Sequence, residues 1–332
     1  MHALVTGAGG FLGQYIVEQL VRRGARVRAM ARRANPALRE LGIECVQADV
    51  RDARDVLAAC EGVDTVFHAA AVAGIWGTWE HFHGTNTLGT RNVLDACRVA
   101  GVRRLIYTSS PSVTFRGADQ TGTDESDPYP TKWLCHYSHT KALAEQEVLR
   151  ANARDGLLTC ALRPHLIWGP RDRHLIPRLV ERARAGQLRR VGRGRNLIDM
   201  IYVENAAEAH LLAADALRPD SPVGGRAYYL SQGEPVNCWH WISEILAVAG
   251  APPVKRSVSY SAAWLIGAVL ETVYSTLRLS GEPRMTRFLA AQLAKSHFFD
   301  IRRAERDFGY RASVSTDQGM ERLANWLVHR RP

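Results

Sequence analysis

The chain has 332 residues, 46% hydrophobic and 23% charged, a balance that excludes disorder, collagen and coiled coil as descriptions of the whole. At about 150 residues per domain, this length predicts two domains, or one large α/β domain with an appended lobe. The 43 basic residues, only four of them lysine, outweigh 33 acidic ones, and the net charge of +10 favours anionic partners such as phosphates and carboxylates. No nucleic-acid recognition module accompanies that charge, so nucleic acid is not an expected partner.

The first 110 residues alternate short apolar strands with amphipathic helices. Leu4 and Val5 open a strand, and Leu12, Ile16 and Leu20 then recur at helical spacing until Gly24 ends the helix. Val27, Ala29 and Ala31 alternate as a second strand should, and further strands are predicted at Cys45–Asp49, Asp64–His68 and Arg104–Thr108. Helices are predicted at Ala53–Cys60 and Thr90–Ala100. This alternation implies right-handed crossovers and a doubly wound parallel sheet, which Leu157–Leu162 and Ala227–Leu230 extend.

Residues 169–199 are rich in Arg, Gly and Pro and break the pattern, and the segment from Glu234 reads as mostly helical. The expected division is a doubly wound α/β domain at 1–168, with later strands near 196–232 returning to it. A smaller, mainly helical substrate lobe follows from 169–195 and 234–295, and C-terminal helices from 296–332. The six cysteines form no C-x-x-C pair and read as reduced, mostly buried thiols, and no metal site is expected. Met1 runs straight into the first strand, and the longest uncharged apolar run, Ser257–Leu270, falls short of the ~20 residues that span a bilayer. A cytoplasmic location is expected.

Thr6-Gly7-Ala8-Gly9-Gly10-Phe11-Leu12-Gly13 lies between the first strand and the first helix. Gly7 allows the tight turn, Gly10 lets backbone approach a pyrophosphate at the helix N-terminus, and Gly13 permits close helix–strand packing. This is a dinucleotide loop on a Rossmann-type sheet. Arg32 and Arg33 end the second strand, where a carboxylate would take the ribose 2′-hydroxyl of NAD(H); arginine there suits the 2′-phosphate of NADP(H). NADP(H) is the expected cofactor and NAD(H) the alternative.

Tyr137 and Lys141 stand four apart, on one face of a helix, about 30 residues after Tyr107-Thr-Ser-Ser110. A nearby ammonium favours phenolate, so such a tyrosine can serve as an acid at neutral pH.

This order and spacing resemble the extended short-chain dehydrogenase/reductase superfamily, over essentially the whole chain. Further marks are Asp49-Val50, His68-Ala-Ala-Ala71, Asn86-x-x-Gly89-Thr90, Arg163-Pro164-x-x-Ile167-Trp168-Gly169-Pro170, Tyr202-Val-Glu-Asn205 and Asp307-Phe-Gly-Tyr310. The chain resembles the 3β-hydroxysteroid dehydrogenase branch. Through Ala73-Gly-Ile-Trp-Gly77, Ser110-Pro-Ser-Val113 and Ser280-Gly-Glu-Pro283, it is similar to bacterial 2-alkyl-3-oxoalkanoate reductases of long-chain olefin biosynthesis.

The resemblance implies that Tyr137 is the general acid, that Lys141 holds the nicotinamide ribose, and that Ser110, or its neighbour Ser109, binds the substrate oxygen. Asp49 and Val50 would contact adenine, Ala69, Ala70 and Ala71 the cofactor's middle, and Pro164 and Ile167 the nicotinamide. Phe11, Leu12 and Asn86 complete the expected cofactor set. The implied reaction is NADPH-dependent reduction of the 3-keto group of a long-chain 2-alkyl-3-oxoalkanoic acid; the alternative is a 3β-hydroxysteroid or sterol-4-carboxylate dehydrogenase using NAD(P). A homodimer is expected, with peripheral association to a membrane or to pathway enzymes.

Asn86 reads either as part of a proton relay or as a contact ordering its loop. His68 and His165 flank the presumed cleft as structural side chains or substrate contacts, and His136 and His139 are expected to be exposed. The arginine run 182–195 reads as a solvated face, or as the source of one arginine, from Gly192–Arg195, for an anionic substrate. The stretch 257–277 reads as core, lid or interfacial helix.

Overall fold

The computed structural model describes residues 1–329. Seven parallel strands form the central sheet, in the order Glu44–Gln47, Arg26–Ala31, His2–Thr6, Thr65–His68, Arg104–Thr108, Leu158–Pro164 and Ala227–Leu230. All four residues of Thr65–His68 are buried, as both faces of a helix-covered parallel sheet require. Register pairs Thr6 with both Met30 and His68, and His68 with Tyr107. The glycine loop, Ala69–Ala71 and Ser109–Ser110 therefore emerge side by side at the sheet's carboxyl edge.

The helix Phe11–Arg22 buries Leu12, Ile16 and Leu20, and Ala53–Cys60 forms where its apolar spacing predicts, capped by the Asp52 carboxylate, which accepts from the Arg54 and Asp55 N–H groups. The helix His136–Arg150 crosses behind the sheet. A further core cluster packs Trp168, Trp239, Trp241 and Ile242 together.

Several expectations are corrected. Of the strands expected near 196–232, only Ala227–Leu230 joins the main sheet; Leu197–Ile198 pairs in a separate four-stranded sheet, and Val203–Ala216 is a helix. That second sheet also holds Gln120–Thr123, Val236–Asn237 and His297–Phe299. The C-terminal segment thus begins with a strand, and its helices start at Arg302. Residues 330–332 of the expected C-terminal helices lie outside the described residues. The irregular 169–199 region contains the helix Leu175–Arg184.

The apolar stretch near 257–277 is a helix, Tyr260–Thr276, and is not plain core. Ala263, Gly267 and Glu271 face inward, and a Cβ on Gly267 would lie 2.6 Å from the Thr286 backbone. Leu265, Ile266 and Val269 face outward and are about half exposed. No helix among the described residues is long and apolar enough to cross a membrane.

Candidate active site

The glycine loop borders a cleft of about 740 Å³. Gly7 has φ +70°, and a Cβ there would lie 2.7 Å from the Ala70 backbone; a Cβ on Gly13 would sit 2.2 Å from the Gly7 carbonyl oxygen. The helix that follows has no side-chain cap at Gly10 and no acidic residue in its first turn. Its first N–H groups, on Phe11, Leu12 and Gly13, have no partners within the helix, which makes an anion site of the kind a pyrophosphate occupies. Gly7, Gly10, Arg32, Arg33, Asp49, Val50, Ala69, Ala70 and Ala71 all line this cleft.

The other expected cofactor residues sit elsewhere. Leu12 packs its side chain into the core, so it and Phe11 have backbone N–H groups to offer, and Gly13 acts through packing. Asn86 accepts from the Val72 N–H at 2.8 Å and donates to the Val72 carbonyl and Thr140 Oγ1, so it orders the loop beyond Ala71. Ile167 pairs with Ile201 in a short strand and packs against the core instead of lining the cleft.

Two cleft arginines escaped the sequence reading. Arg51 and Arg173 join Arg32 and Arg33, giving the cleft four arginines. Arg51 is committed: its guanidinium donates to Asp49 at 2.8 Å and holds that carboxyl below its usual range. A sequence signal for Arg51 existed, since it directly follows Asp49-Val50. Arg173 comes from the lobe, and nothing local marks it.

Beside the cleft lies a second cavity of about 210 Å³, lined by Ser110, Tyr137 and Pro164 among apolar side chains that include Ile75, Phe115, Leu166 and Phe288. Of the two candidate serines, Ser110 reaches this cavity; Ser109 is buried, its N–H donating to the Leu162 carbonyl at 2.6 Å. Ser110 Oγ lies 2.9 Å from Ser112 Oγ. Burial pushes the Tyr137 phenol above its ordinary pKa, and the Ser110 hydroxyl acts in the opposite direction.

Tyr137, Lys141 and Glu145 follow one another at i, i+4 and i+8 on the helix His136–Arg150. Lys141 is buried beneath the cavity; its ammonium donates to the Thr108 carbonyl at 2.5 Å and lies 4.1 Å from the centre of the Tyr107 ring. Burial pushes it down to about 7, against the attraction of Glu145. Glu145 forms a bidentate ion pair with Arg163 at 2.6 and 3.0 Å, both buried, which ties this helix to the strand ending at Pro164.

His68 is a structural side chain. It bridges Thr6 and Thr90 at 2.7 and 2.9 Å, and burial, with the nearby Lys141 charge, lowers its pKa to about 3. His136 is exposed, but His139 is half-buried, its ring stacked on Trp133 at 4.9 Å. No arginine of 182–195 lines the cavity: Arg182 lies beside Glu282, and Arg193 and Arg195 are exposed. The closing motifs are latches, with Tyr310 donating to the Ser231 carbonyl at 2.8 Å and Asn205 to Gln232 Oε1 at 2.8 Å.

A nucleotide cleft opening at the sheet's carboxyl edge onto a hydroxyl-bearing, apolar cavity is the arrangement of a nucleotide-dependent oxidoreductase, here one of extended short-chain dehydrogenase/reductase class. Residues 4–258 match the model of the 3-beta hydroxysteroid dehydrogenase/isomerase family, and the chain belongs to that family. It is 48% identical over 326 residues to a 2-alkyl-3-oxoalkanoate reductase of Stenotrophomonas maltophilia, covering 97% of this chain and 98% of the relative. It is 35% identical to the mouse (Mus musculus) sterol-4-alpha-carboxylate 3-dehydrogenase, decarboxylating, covering 98% of this chain and 91% of that protein. Among solved structures, MoeE5 in complex with UDP-glucose and NAD is similar with a TM-score of 0.77 and 26% identity, over 99% of each chain.

Proposed function

We propose that this protein reduces the 3-keto group of a long-chain 2-alkyl-3-oxoalkanoic acid to the 2-alkyl-3-hydroxy acid, using NADPH. The observation that carries the proposal is the pairing of Ser110 and Tyr137 in one apolar cavity next to the nucleotide cleft. The 48% identity to a reductase of that name supports the substrate class. A bound reduced nicotinamide supplies the hydride. Ser110 donates a hydrogen bond to the keto oxygen, and the Tyr137 hydroxyl gives that oxygen its proton as the carbonyl becomes an alcohol. Lys141, one turn further along the same helix, would favour the phenolate once the proton has left.

Arg32, Arg33 and Arg173 line the cleft without an ion pair to a carboxylate among the described residues, which favours a cofactor carrying an additional phosphate. Tyr274 of the helix Tyr260–Thr276 meets the ring of Trp76, the neighbour of the lining residue Ile75, at 6.2 Å, and the helix's exposed apolar side offers further surface to alkyl chains. A sterol-4-carboxylate or 3β-hydroxysteroid dehydrogenase is the second reading, supported by the 35% relative. Initial rates of NADPH oxidation, measured with a long-chain 2-alkyl-3-oxo acid beside a keto steroid, separate the two. Faster turnover of the steroid than of any acid overturns the proposal.

A further inference from the structure

The cavity carries no Lys, Arg, Asp or Glu among its described lining residues, so the arginine-rich segment does not supply a counter-charge for a carboxylate there. The only basic side chains in the wall are His165 and His297. They belong to a buried chain of hydrogen bonds that the reaction above does not use. His165 Nδ1 lies 2.7 Å from Asp199 Oδ1, and His165 Nε2 lies 3.0 Å from His297 Nδ1. His297 Nε2 lies 2.8 Å from the Gln292 carbonyl oxygen. Asp199 is fully buried, and its other oxygen accepts from the Phe299 N–H at 2.9 Å.

Counting protons along this chain gives a definite result. The Gln292 carbonyl only accepts, so His297 Nε2 carries a hydrogen. An ionised Asp199 likewise requires a hydrogen on His165 Nδ1. Two neutral rings would then point lone pairs at each other across 3.0 Å. One more proton must lie in the chain, and even a protonated Asp199 only moves that proton to its other end. Burial, with the charge of His165, pushes His297 down to about 3, which disfavours a doubly protonated His297. Titratable groups around the array include Tyr137, which also lines the cavity, Tyr310, whose phenol is pushed up by burial and by the Asp199 charge, and Tyr229, stacked on Phe299.

With the shared proton, the array is neutral overall. Without it, the Asp199 charge stands uncompensated behind the wall. We propose that the Asp199–His165–His297 array is the element that admits an anionic substrate head group, and that a carboxylate binds beside it only while the shared proton is present. This inference rests on the proposed reduction of a β-keto acid and names what recognises its acid group. His165 acts here as a positioning and specificity residue and takes no part in proton transfer to the keto oxygen.

The test compares the acid with its methyl ester as substrates of the full chain, from pH 6 to 10. The acid stays ionised throughout this range, because a carboxyl group titrates near pH 4. In the wild type, kcat/KM for the acid should fall on the alkaline side relative to that for the ester. His165→Gln removes the ring that shares the extra proton and leaves the buried Asp199 carboxylate uncompensated, so acid kcat/KM at pH 7 should drop about tenfold or more relative to ester. His297→Gln can still donate to the Gln292 carbonyl and accept from His165 Nε2, so it should keep the acid preference.

Equal losses on acid and ester in His165→Gln, loss of the preference in His297→Gln, or matching pH profiles for the two wild-type substrates overturn the inference. Failure of the wild type to reduce either substrate overturns the proposed function itself, so the two failures are distinct.

Discussion

Lys141 stands where charge is costly, and that cost can be read in solution. An unfolded lysine keeps its proton to about pH 10.4, whereas burial brings the folded one down to about 7. Between those values the unfolded chain binds the extra proton. The penalty is therefore full below pH 7 and fades as pH rises, adding up to about 1.4 kcal/mol of stability per pH unit. Summed over the interval, this comes to about 5 kcal/mol. Lys141→Met keeps the unbranched stem and removes the charge, at the loss of the bond to the Thr108 carbonyl, worth about 1 kcal/mol. The cofactor-free variant should then be more stable than the wild type at pH 6 by a few kcal/mol, with the gap closing toward pH 10. Turnover should fall at least about a hundredfold, since the tyrosine loses the charge that favours its ionised form. Urea midpoints of both proteins across pH 6–10 measure the difference in slope. Parallel pH dependences would refute the claim that Lys141 is a desolvated ammonium.

Tyr137→Phe should lower kcat by about 10²–10⁴ while leaving cofactor affinity unchanged, because the ring stays and the transferable proton goes; fluorescence titration with NADPH checks the binding half. Arg32→Ala should weaken NADPH by about 10- to 100-fold and NADH by less than about twofold, since charge-assisted bonds to a phosphate are worth about 1.5–3 kcal/mol. Equal responses of the two cofactors would move the recognition to another arginine of the cleft. Val269→Glu and Leu265→Glu, on the outer face of the helix Tyr260–Thr276, should leave rates on short acids intact and flatten the rise of kcat/KM with chain length. That rise reflects up to about 0.8 kcal/mol per buried CH₂.

The main sheet was legible because most of its strands carry an apolar run bounded by turn residues, and the helices between them their own period. The extent of Ala53–Cys60 was legible because its apolar stripe lies within one short segment. The second sheet was not legible: Leu197–Ile198 and Val236–Asn237 are two residues each, and their pairing is long-range. His297–Phe299 was read as the start of a helical tail because its partner, Gln120–Thr123, lies far back in the chain. The glycine loop and the Ser110, Tyr137 and Lys141 set could be found because their spacing is local. Arg173 and the His165–His297 contact could not, since they are brought in by the lobe's fold. The arginine run 182–195 shows the opposite failure, a strong compositional signal that ends on the surface and on Glu282.

Isotope transfer tests the central claim most directly. NADPH deuterated at the reactive face of C4 is incubated with a long-chain 2-alkyl-3-oxo acid, and the product is analysed by mass spectrometry. The account predicts one deuterium, at C3 of a 2-alkyl-3-hydroxy acid, formed by the wild type and lost with Tyr137→Phe. An unlabelled product, or label appearing only when a keto steroid replaces the acid, would contradict it.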